Sequence, residues 1–361
     1  MCLQSKICRY KKDMVRIMKK DIKSLSFAEL KEEISALGEK AFRAKQIYEW
    51  LHVKLVRSFD EMTNLSKETR TKLEEKFVLT NLQVVDSLTS EDGSTSKFLF
   101  ELGDHRVIES VLMKYHHGNS VCISSQVGCR MGCRFCASTL GGLERNLMPS
   151  EMLDQIYQIQ RISGERVSNI VIMGTGEPMD NFDNVIKFLD LITNEDGLNI
   201  SQRNITVSTC GIVERIRELA DKKLTITLAI SLHAPTDERR KEIMPVANKY
   251  TIKEIIDACH YYYEQTGRRI TFEYSLIEGV NDQPEQAATL SKLVKGLNCH
   301  INLIPVNPIK ERNFKQTQGK YVQNFKNLLE KNRINVTIRR EMGADINAAC
   351  GQLRKSYNDK L

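Results

Sequence analysis

The spacing of apolar residues divides the chain into regions of different predicted structure. Between residues 26 and 77, apolar positions recur every three or four residues, and Ser26 with Glu29 matches the capping box that begins many helices. This spacing predicts three short helices, at about 26–37, 41–54 and 66–77. Residues 82–113 instead resemble strands separated by Glu-Asp-Gly and Gly-Asp turns, which predicts a small antiparallel sheet or linker.

From residue 119 to about 305, strand patterns alternate with amphipathic helical patterns. Repeated strand–helix units predict a parallel sheet, either barrel-like or doubly wound. A last strand pattern at 335–340 precedes a tail that is rich in small residues. The alternating region has six predicted strands, at 119–126, 167–173, 204–209, 224–230, 268–275 and 299–305.

The expected fold class is therefore α/β, with a partial (βα)6 barrel, a small N-terminal helical domain and a short antiparallel β linker. Met14 or Met18 could also serve as the start of the protein, because the first residues are basic and lie outside any predicted element. The expected boundaries are a basic extension at 1–23, the helical domain at 24–80, the linker at 81–114, the barrel at 115–340 and a tail at 341–361.

Composition excludes several classes of protein. Hydrophobic residues make up 41% and charged residues 27% of the 361 residues, which excludes a wholly disordered chain, a collagen and a coiled coil. No apolar run approaches the roughly 20 residues that span a bilayer, and no apolar stretch follows the basic start as in a secretory signal. We therefore expect a cytoplasmic monomer, in which ten cysteines bind metal or do chemistry more often than they form disulfides.

Charge is distributed unevenly along the chain. Residues 1–80 contain 18 Lys and Arg against 12 Asp and Glu, and residues 310–361 contain 12 against 5. Since the whole chain has a net charge of +7, the part between these ends is acidic. Basic ends fit a polyanionic partner such as a nucleic acid, although they can also serve only solubility.

The strongest chemical signal is a group of three cysteines within eight residues, Cys129, Cys133 and Cys136. A structural zinc site normally uses two well-separated pairs of ligands, so this spacing favours an iron–sulfur cluster. Three cysteines would leave one iron of a [4Fe–4S] cluster open to a small molecule. The alternatives are a structural zinc site that borrows a distant Cys or His, and three unlinked thiols.

Polar and glycine-rich residues follow the predicted strands. In a parallel barrel the active site lies at the C-terminal ends of the strands, so these residues and the cysteine loop should surround one site. Ordinary turn chemistry could explain any one of them, but not the whole set. They are Gly174, Gly176 and Glu177, then Ser208 and Thr209, then Ser231, Leu232 and His233, and finally Asn307.

Three further residues have both a chemical and a structural explanation. Glu109 lies between apolar residues in a strand, where a carboxylate costs free energy unless it is paired or functional, but alternation could also point it to solvent. Cys122 lies seven residues before the cysteine motif, and Cys350 lies among small residues in a segment that can move. Each cysteine could instead be a small buried residue.

Several segments around these residues closely resemble the RlmN/Cfr family of radical S-adenosylmethionine (SAM) adenine methyltransferases, and within it the RlmN branch. The resemblance covers nearly the whole chain from about residue 24. It implies that the predicted barrel is a radical SAM barrel. It rests on ESV (109–111), CISSQVGCRMGCRFCAS (122–138), MGTGEPMDNFDNV (173–185), SLHAP (231–235), NLIPVNP (302–308) and ADINAACGQL (344–353).

The resemblance also implies a role for each candidate residue. Cys350 would carry the methyl group, Cys122 would be its thiol partner, and Glu109 would accept a proton. The N-terminal helices would bind RNA. The cluster ligands would be Cys129, Cys133 and Cys136, and the SAM site would be lined by Gly176, Glu177, Ser208, Ser231, Leu232, His233 and Asn307.

The implied activity is methylation of carbon 2 of adenosine in 23S rRNA and in tRNA, with a [4Fe–4S] cluster, two SAM molecules per turnover and an external electron donor. One SAM would methylate Cys350, and the second would yield a 5′-deoxyadenosyl radical that activates the S-methyl group to form a protein–RNA adduct. Two alternatives stay open: a Cfr-like carbon-8 methyltransferase that confers antibiotic resistance, and an iron–sulfur RNA-binding protein without turnover. The GEP and RREMGADI segments favour the RlmN branch over Cfr.

Overall fold

The computed structural model describes residues 19–340 and 342–346, and this part of the chain contains fourteen strands and ten α-helices. The strands are β1 (Lys20–Asp21), β2 (Phe77–Val78), β3 (Gln83–Thr89), β4 (Thr95–Glu101), β5 (Val107–Tyr115), β6 (Gly118–Ile123), β7 (Gln126–Gly128), β8 (Leu143–Asn146), β9 (Val167–Ile172), β10 (Ile205–Thr209), β11 (Thr227–Ser231), β12 (Ile270–Leu276), β13 (Cys299–Pro305) and β14 (Asn335–Ile338). The helices are α1 (Phe27–Ala36), α2 (Phe42–His52), α3 (Lys67–Lys76), α4 (Pro149–Ser163), α5 (Phe182–Thr193), α6 (Val213–Asp221), α7 (Asp237–Ile243), α8 (Ile252–Thr266), α9 (Pro284–Leu293) and α10 (Gly319–Lys331).

A ten-stranded mixed sheet forms the centre of the fold, with the strand order β14-β13-β12-β11-β10-β9-β6-β5-β4-β3. The seven strands from β6 to β14 in this order pair in parallel, and at least one of the helices α4 to α10 lies in each connection between them. This confirms the predicted α/β architecture. The main hydrophobic core joins the sheet to these helices and includes Val121, Ile170, Leu228, Phe272 and Ile301.

The region predicted as an antiparallel linker is part of the same sheet. β3, β4 and β5 pair in antiparallel fashion, and β5 pairs in the same way with β6, the first strand of the parallel series. In this register Leu99 lies opposite Glu109, and Val111 lies opposite both Lys97 and Cys122. The antiparallel strands therefore extend the wall of the barrel.

The three N-terminal helices have a hydrophobic core of their own, in which Leu30, Ile47 and Leu73 are fully buried. The predicted capping box is present at the start of α1. Glu29 N donates to Ser26 Oγ at 3.3 Å, and Ser26 N donates to Glu29 Oε2 at 2.7 Å. The basic residues 1–18 lie outside the described part of the chain. Among the described residues, no helix is long and apolar enough to cross a membrane.

Buried polar contacts attach these helices to the barrel. Lys23 Nζ lies 2.7 Å from Asp154 Oδ1 on α4, and both side chains are fully buried. Asp154 Oδ2 also accepts a hydrogen bond from Leu82 N at 2.7 Å. Nearby, His52 Nδ1 lies 2.8 Å from the hydroxyl of Tyr157, also on α4. The N-terminal helices are thus anchored to the helix that follows the cysteine loop.

The chain segment that follows β14 returns to the first strands of the sheet. Glu91 N, in the turn between β3 and β4, donates to Asp345 Oδ2 at 2.8 Å. Met342 packs against a buried cluster that contains Val111 and Cys122. The two ends of the sheet are therefore bridged at the edge where the C-terminal ends of the parallel strands lie.

Candidate active site

A cavity of about 480 Å³ lies at the C-terminal ends of the parallel strands, which is a size typical of small-molecule sites. Leu232 and Glu109 do not line it directly, and Cys350 lies outside the described residues. The sequence-predicted residues that do line the cavity are Cys122, Cys129, Cys133, Cys136, Gly174, Gly176, Glu177, Ser208, Thr209, Ser231, His233 and Asn307.

The three clustered cysteines lie on one loop directly after β7. Cys129 is buried, whereas Cys133 and Cys136 are half-buried and line the cavity. The loop can turn here because Gly128 has a φ of +72°, and a Cβ at this position would lie 2.0 Å from the carbonyl oxygen of Gly142. Only glycine fits this close approach of the two backbone segments.

Polar contacts fix the cysteine loop from both sides. The hydroxyl of Thr139 donates to the carbonyl oxygens of Cys133 and Cys136, at 3.1 and 2.9 Å. Arg130 Nε donates to Asp180 Oδ2 at 2.9 Å, which ties the loop to the segment after β9. Hydrogen bonds within the loop and to the segment after β9 thus fix the conformation of the cysteine loop.

The donor set of this loop fits an iron–sulfur cluster. Burial raises the pKa of the Cys129 thiol to about 12, and it also raises the pKa of Cys133. Thiolates at these positions therefore need a cationic centre to stabilise them. Within residues 19–340 and 342–346, no group of three His, Cys, Asp or Glu side chains is arranged to hold a single metal ion. Each thiolate of a [4Fe–4S] cluster binds a different iron, so the cluster does not require such a group.

Glu177 is a buried carboxylate beside the cysteine loop. Its Oε2 accepts a hydrogen bond from Cys210 N at 2.8 Å, and its Oε1 accepts one from Met179 N at 3.0 Å. Burial raises its pKa, although these hydrogen bonds partly oppose the shift. The backbone contacts hold the carboxylate in one orientation at the cavity wall.

The glycines before Glu177 are required by packing against β6 and the start of β7. A Cβ at Gly174 would lie 2.7 Å from the carbonyl oxygen of Ile123, and a Cβ at Gly176 would lie 2.5 Å from Cβ of Gln126. Both glycines were expected only as residues that surround the site, where a glycine permits close approach of a ligand. The structure shows a second reason, which is close approach of the neighbouring strand.

The residues that follow β11 contribute to the site in different ways. His233 is buried with a positive φ of 57°, and its Nδ1 accepts a hydrogen bond from Ser275 N at 2.9 Å. Burial lowers the pKa of His233 to about 3, so the imidazole is neutral at physiological pH. Leu232 is fully buried in the main core, and its N donates to the carbonyl oxygen of Glu273 at 3.1 Å.

The remaining predicted cavity residues lie on or just after the strand ends. Ser208 and Ser231 lie at the C-terminal ends of β10 and β11 and are half-buried. Asn307 follows β13 and is exposed. The predicted gathering of these residues at one edge of the sheet is present in the structure.

Two buried charged residues at the site were missed by sequence reasoning. The Arg240 guanidinium is fully buried, and it donates to the carbonyl oxygens of Cys210 and Leu232. Glu273 on β12 lines the cavity, and its Oε2 accepts a hydrogen bond from Asn302 Nδ2 at 2.9 Å. Arg240 thus connects the ends of β10 and β11, and Glu273 adds a carboxylate to the wall.

Glu109 and Cys122 share the face of the sheet that forms the cavity wall. Glu109 is buried, so the possibility that alternation points it to solvent is wrong. Its strand neighbours at two-residue spacing, Val111 and Met113, both line the cavity. Cys122 packs against these two residues and Met342. The structure thus places a carboxylate and a thiol beside the segment that leads into the tail.

Two arginines lie at the mouth of the cavity, just after β14. Arg339 and Arg340 are exposed and line the cavity, and neither forms an ion pair with any described residue. Both belong to the RREMGADI segment, for which the sequence predicted no contact role. Their positive charges are available to an anionic group at the cavity mouth.

Comparison with known proteins agrees with this geometry. Residues 20–79 match the family model of the ribosomal RNA large subunit methyltransferase N-terminal domain, and residues 123–290 match that of the radical SAM superfamily. The "Probable dual-specificity RNA methyltransferase RlmN" of Lachnoclostridium phytofermentans is 68% identical over 340 residues, which cover 94% of this chain and 96% of the relative. The chain belongs to the RlmN family of radical SAM RNA methyltransferases. The family implies a [4Fe–4S] cluster and SAM.

Other relatives of the RlmN family support the same conclusion. The Clostridium perfringens (strain SM101) protein of the same name is 57% identical over 338 residues, covering 94% of this chain and 97% of that protein. The crystal structure of a radical SAM methyltransferase from Sphaerobacter thermophilus has a TM-score of 0.89 and 42% identity, covering 92% of this chain and 98% of that one. The resemblance to the RlmN branch and the expected radical SAM fold are therefore confirmed.

Proposed function

We propose that this RlmN-family enzyme methylates carbon 2 of adenosine in 23S rRNA and in tRNA, as a cytoplasmic monomer. The observation that carries the proposal is the shared position of Glu109 and Cys122 on the cavity face, beside the segment that leads to Cys350. Carbon 2 of adenine is electrophilic, so it does not react with the electrophilic methyl group of SAM directly. A route through a protein-bound methyl group avoids this problem.

The residues of the cavity fit the cofactors that the family implies. Cys129, Cys133 and Cys136 would hold the [4Fe–4S] cluster, and an external donor would supply its electron. When bound, the cluster and one SAM supply the 5′-deoxyadenosyl radical and take back one electron as the product forms, while another SAM supplies the methyl group. Leu232 would contribute through its backbone, because its side chain lies in the core. The other residues proposed to contact SAM are Gly176, Glu177, Ser208, Ser231, His233 and Asn307.

Cys350 is proposed to carry the methyl group on its sulfur. The residue lies outside the described part of the chain, but the segment before it is anchored at the cavity by Met342 and by the hydrogen bond of Asp345. An extended chain spans about 3.5 Å per residue, so five residues reach roughly 18 Å from Asp345. This length allows the Cys350 thiol to enter the cavity from its mouth.

Glu109 and Cys122 are proposed to release the product from the adduct between Cys350 and adenine. Glu109 would accept the proton from carbon 2, and the Cys122 thiolate would attack the sulfur of Cys350. A disulfide forms between the two cysteines as the bond between sulfur and the methylene carbon breaks. The methylene carbon takes up a proton and becomes the methyl group of the product.

The proposed RNA contacts lie on two parts of the molecule. The N-terminal helices would grip the RNA body, and Arg339 and Arg340 would contact phosphates next to the adenosine that enters the cavity. Enzymes that modify a base bring it out of its stack into a pocket, so phosphate contacts at the mouth would hold the flanking backbone. The two arginines are suited to this role because both side chains are exposed at the mouth of the cavity.

Two alanine variants test the proposal. Cys122→Ala should be methylated at Cys350, react once and remain attached to labelled RNA, because nothing attacks the Cys350 sulfur. Cys350→Ala should form no adduct, because there is no sulfur to methylate. A denaturing gel should show a shifted, protease-sensitive RNA band only with Cys122→Ala. Absence of this band despite SAM cleavage would remove Cys122 from its proposed role.

Nucleoside analysis separates the proposed reaction from its alternatives. Mass spectrometry of rRNA and tRNA from cells with and without the protein should show 2-methyladenosine that depends on the protein. A protein-dependent 8-methyladenosine would indicate a Cfr-like activity instead. Absence of both would favour RNA binding without turnover.

A further inference from the structure

We infer that Lys97 is a positioning residue for product release, which keeps Glu109 and Cys122 in their reactive, anionic forms. This inference rests on the proposed function, in which Glu109 accepts a proton and Cys122 attacks as a thiolate. Lys97 belongs to no motif that the sequence analysis identified. It is one of two fully buried lysines among the described residues, with an exposed fraction of 1%.

The sheet register places Lys97 on the same face as both groups. Lys97 on β4 is directly opposite Val111 on β5, and Val111 is directly opposite Cys122 on β6. Since strands lie about 4.8 Å apart, the backbones of Lys97 and Cys122 are separated by roughly 10 Å. Glu109 is the diagonal neighbour of Lys97, at about 7–8 Å between Cα atoms, a distance that a long side chain can bridge.

Two described neighbours of Lys97 on this face are apolar. Leu99, two residues along the same strand, is fully buried, and Val111 across the strand is also buried. Thr95, two residues before Lys97 on the same strand face, lines the cavity. Lys97 therefore lies next to the cavity lining, one residue pair further along β4. A positive charge at this depth is stabilised by anionic groups nearby, and Glu109 and Cys122 on the same face become two such groups in the proposed reaction.

A buried cation has a specific chemical effect on these neighbours. Burial favours the neutral forms of carboxyl and thiol groups, and a nearby positive charge favours their anionic forms. Neutral Glu109 cannot accept a proton, and a neutral Cys122 thiol is a poor nucleophile. The other fully buried lysine, Lys23, has a different role, because it pairs with Asp154 at the attachment of the N-terminal helices. Lys97 instead lies on the sheet face that carries Glu109 and Cys122.

The test separates adduct formation from adduct release. Lys97→Met keeps the length of the side chain and removes its charge. We expect normal methylation of Cys350, normal adduct formation and at least about tenfold slower release of RNA, because loss of the neighbouring positive charge disfavours the anionic forms of Glu109 and Cys122. Lys97→Arg should restore release to within about threefold of wild type, because it restores the charge. Single-turnover gels with labelled RNA and intact-protein mass spectrometry measure these steps.

Matched variants distinguish this role from a structural one. Lys114→Met removes an exposed lysine of the adjacent strand β5 and should release RNA at the wild-type rate. Should Lys97→Met lose iron or unfold, Lys97→Gln gives the same comparison with a polar side chain. Release at the wild-type rate by a folded, charge-free variant would overturn the inference, and so would slow release by Lys97→Arg equal to that of Lys97→Met. If Cys122→Ala itself traps no RNA, the proposed function fails, and the inference fails with it.

Discussion

Loss of the buried ion pair between Lys23 and Asp154 should loosen the N-terminal helices from the barrel. Both side chains are fully buried, and Lys23 Nζ also donates to the carbonyl oxygen of Thr80 at 2.6 Å. Lys23→Met removes the closest cation and leaves the buried Asp154 carboxylate beside the more distant Arg161 guanidinium, at 4.0 Å. Removal of one partner of a buried ion pair typically costs about 3–5 kcal/mol. Since 1.36 kcal/mol is a factor of ten, the opening equilibrium of this unit should rise by roughly 10² to 10³-fold or more.

Hydrogen exchange measured by mass spectrometry reports this opening for each helix. Amides of α1, α2 and α3 should exchange faster in Lys23→Met by the factor given above, whereas those of α8 should not change. The double variant Lys23→Met/Asp154→Asn should recover most of the protection, because it leaves no buried charge and keeps an acceptor for Leu82 N. Lys20→Met, which breaks an exposed ion pair with Glu33, serves as the control. Equal protection in Lys23→Met and Lys20→Met would refute the reasoning.

Three further predictions concern a buried histidine of the N-terminal helices, the arginines at the cavity mouth and the cysteine loop. Burial lowers the pKa of His52 from 6.5 to about 3, so only the unfolded chain binds a proton there between these values. The free energy of unfolding should therefore fall as the pH drops from about 6.5 towards 3, and His52→Gln should reduce this slope in urea titrations. In salt titrations of RNA binding, Arg339→Gln and Arg340→Gln should each lower the slope of log K against log salt by about one, and an unchanged slope would exclude phosphate contacts. Cys136→Ala should lose iron and SAM cleavage while α1 to α3 stay folded, and SAM cleavage at the wild-type rate would contradict the assignment of this cysteine.

The helices and parallel strands could be predicted because each has a local pattern. The capping box at Ser26 and the apolar face of α1 lie within one short segment, and the structure contains both. The predicted strand at 119–126 is instead two strands, β6 and β7, because Ser124 N donates to the side chain of Gln155 on α4 and Ser125 N to the carbonyl oxygen of Thr175. Hydrogen bonds to residues so distant in sequence do not change the local spacing of apolar residues, so the sequence pattern cannot predict them. The same holds for the pairing of β5 with β6, which joins the antiparallel strands to the barrel.

The candidate site was predictable to the extent that its residues cluster in the sequence. The cysteine loop spans eight residues, and its spacing alone indicates an iron–sulfur site. Lys97, Arg240 and Glu273 have no such signal, because each lies in a segment that contains ordinary charged or polar residues. Their burial results from strands and helices that are distant in sequence. Glu109 was ambiguous for the same reason, since only the tertiary structure decides which face of a strand is covered.

The hydrogen bond between Glu91 and Asp345 joins residues 254 positions apart, so it forms late in the synthesis of the chain. At 5–20 residues per second, a ribosome needs about 13 to 50 s to make the chain between them. At the same rate, the 214 positions from Cys136 to Cys350 take about 11 to 43 s, so the loop with Cys129, Cys133 and Cys136 is made well before the segment that contains Cys350. During this interval no Cys350 thiol exists that could compete for iron. The order of synthesis thus favours loading of the three-cysteine loop before the tail with Cys350 is added.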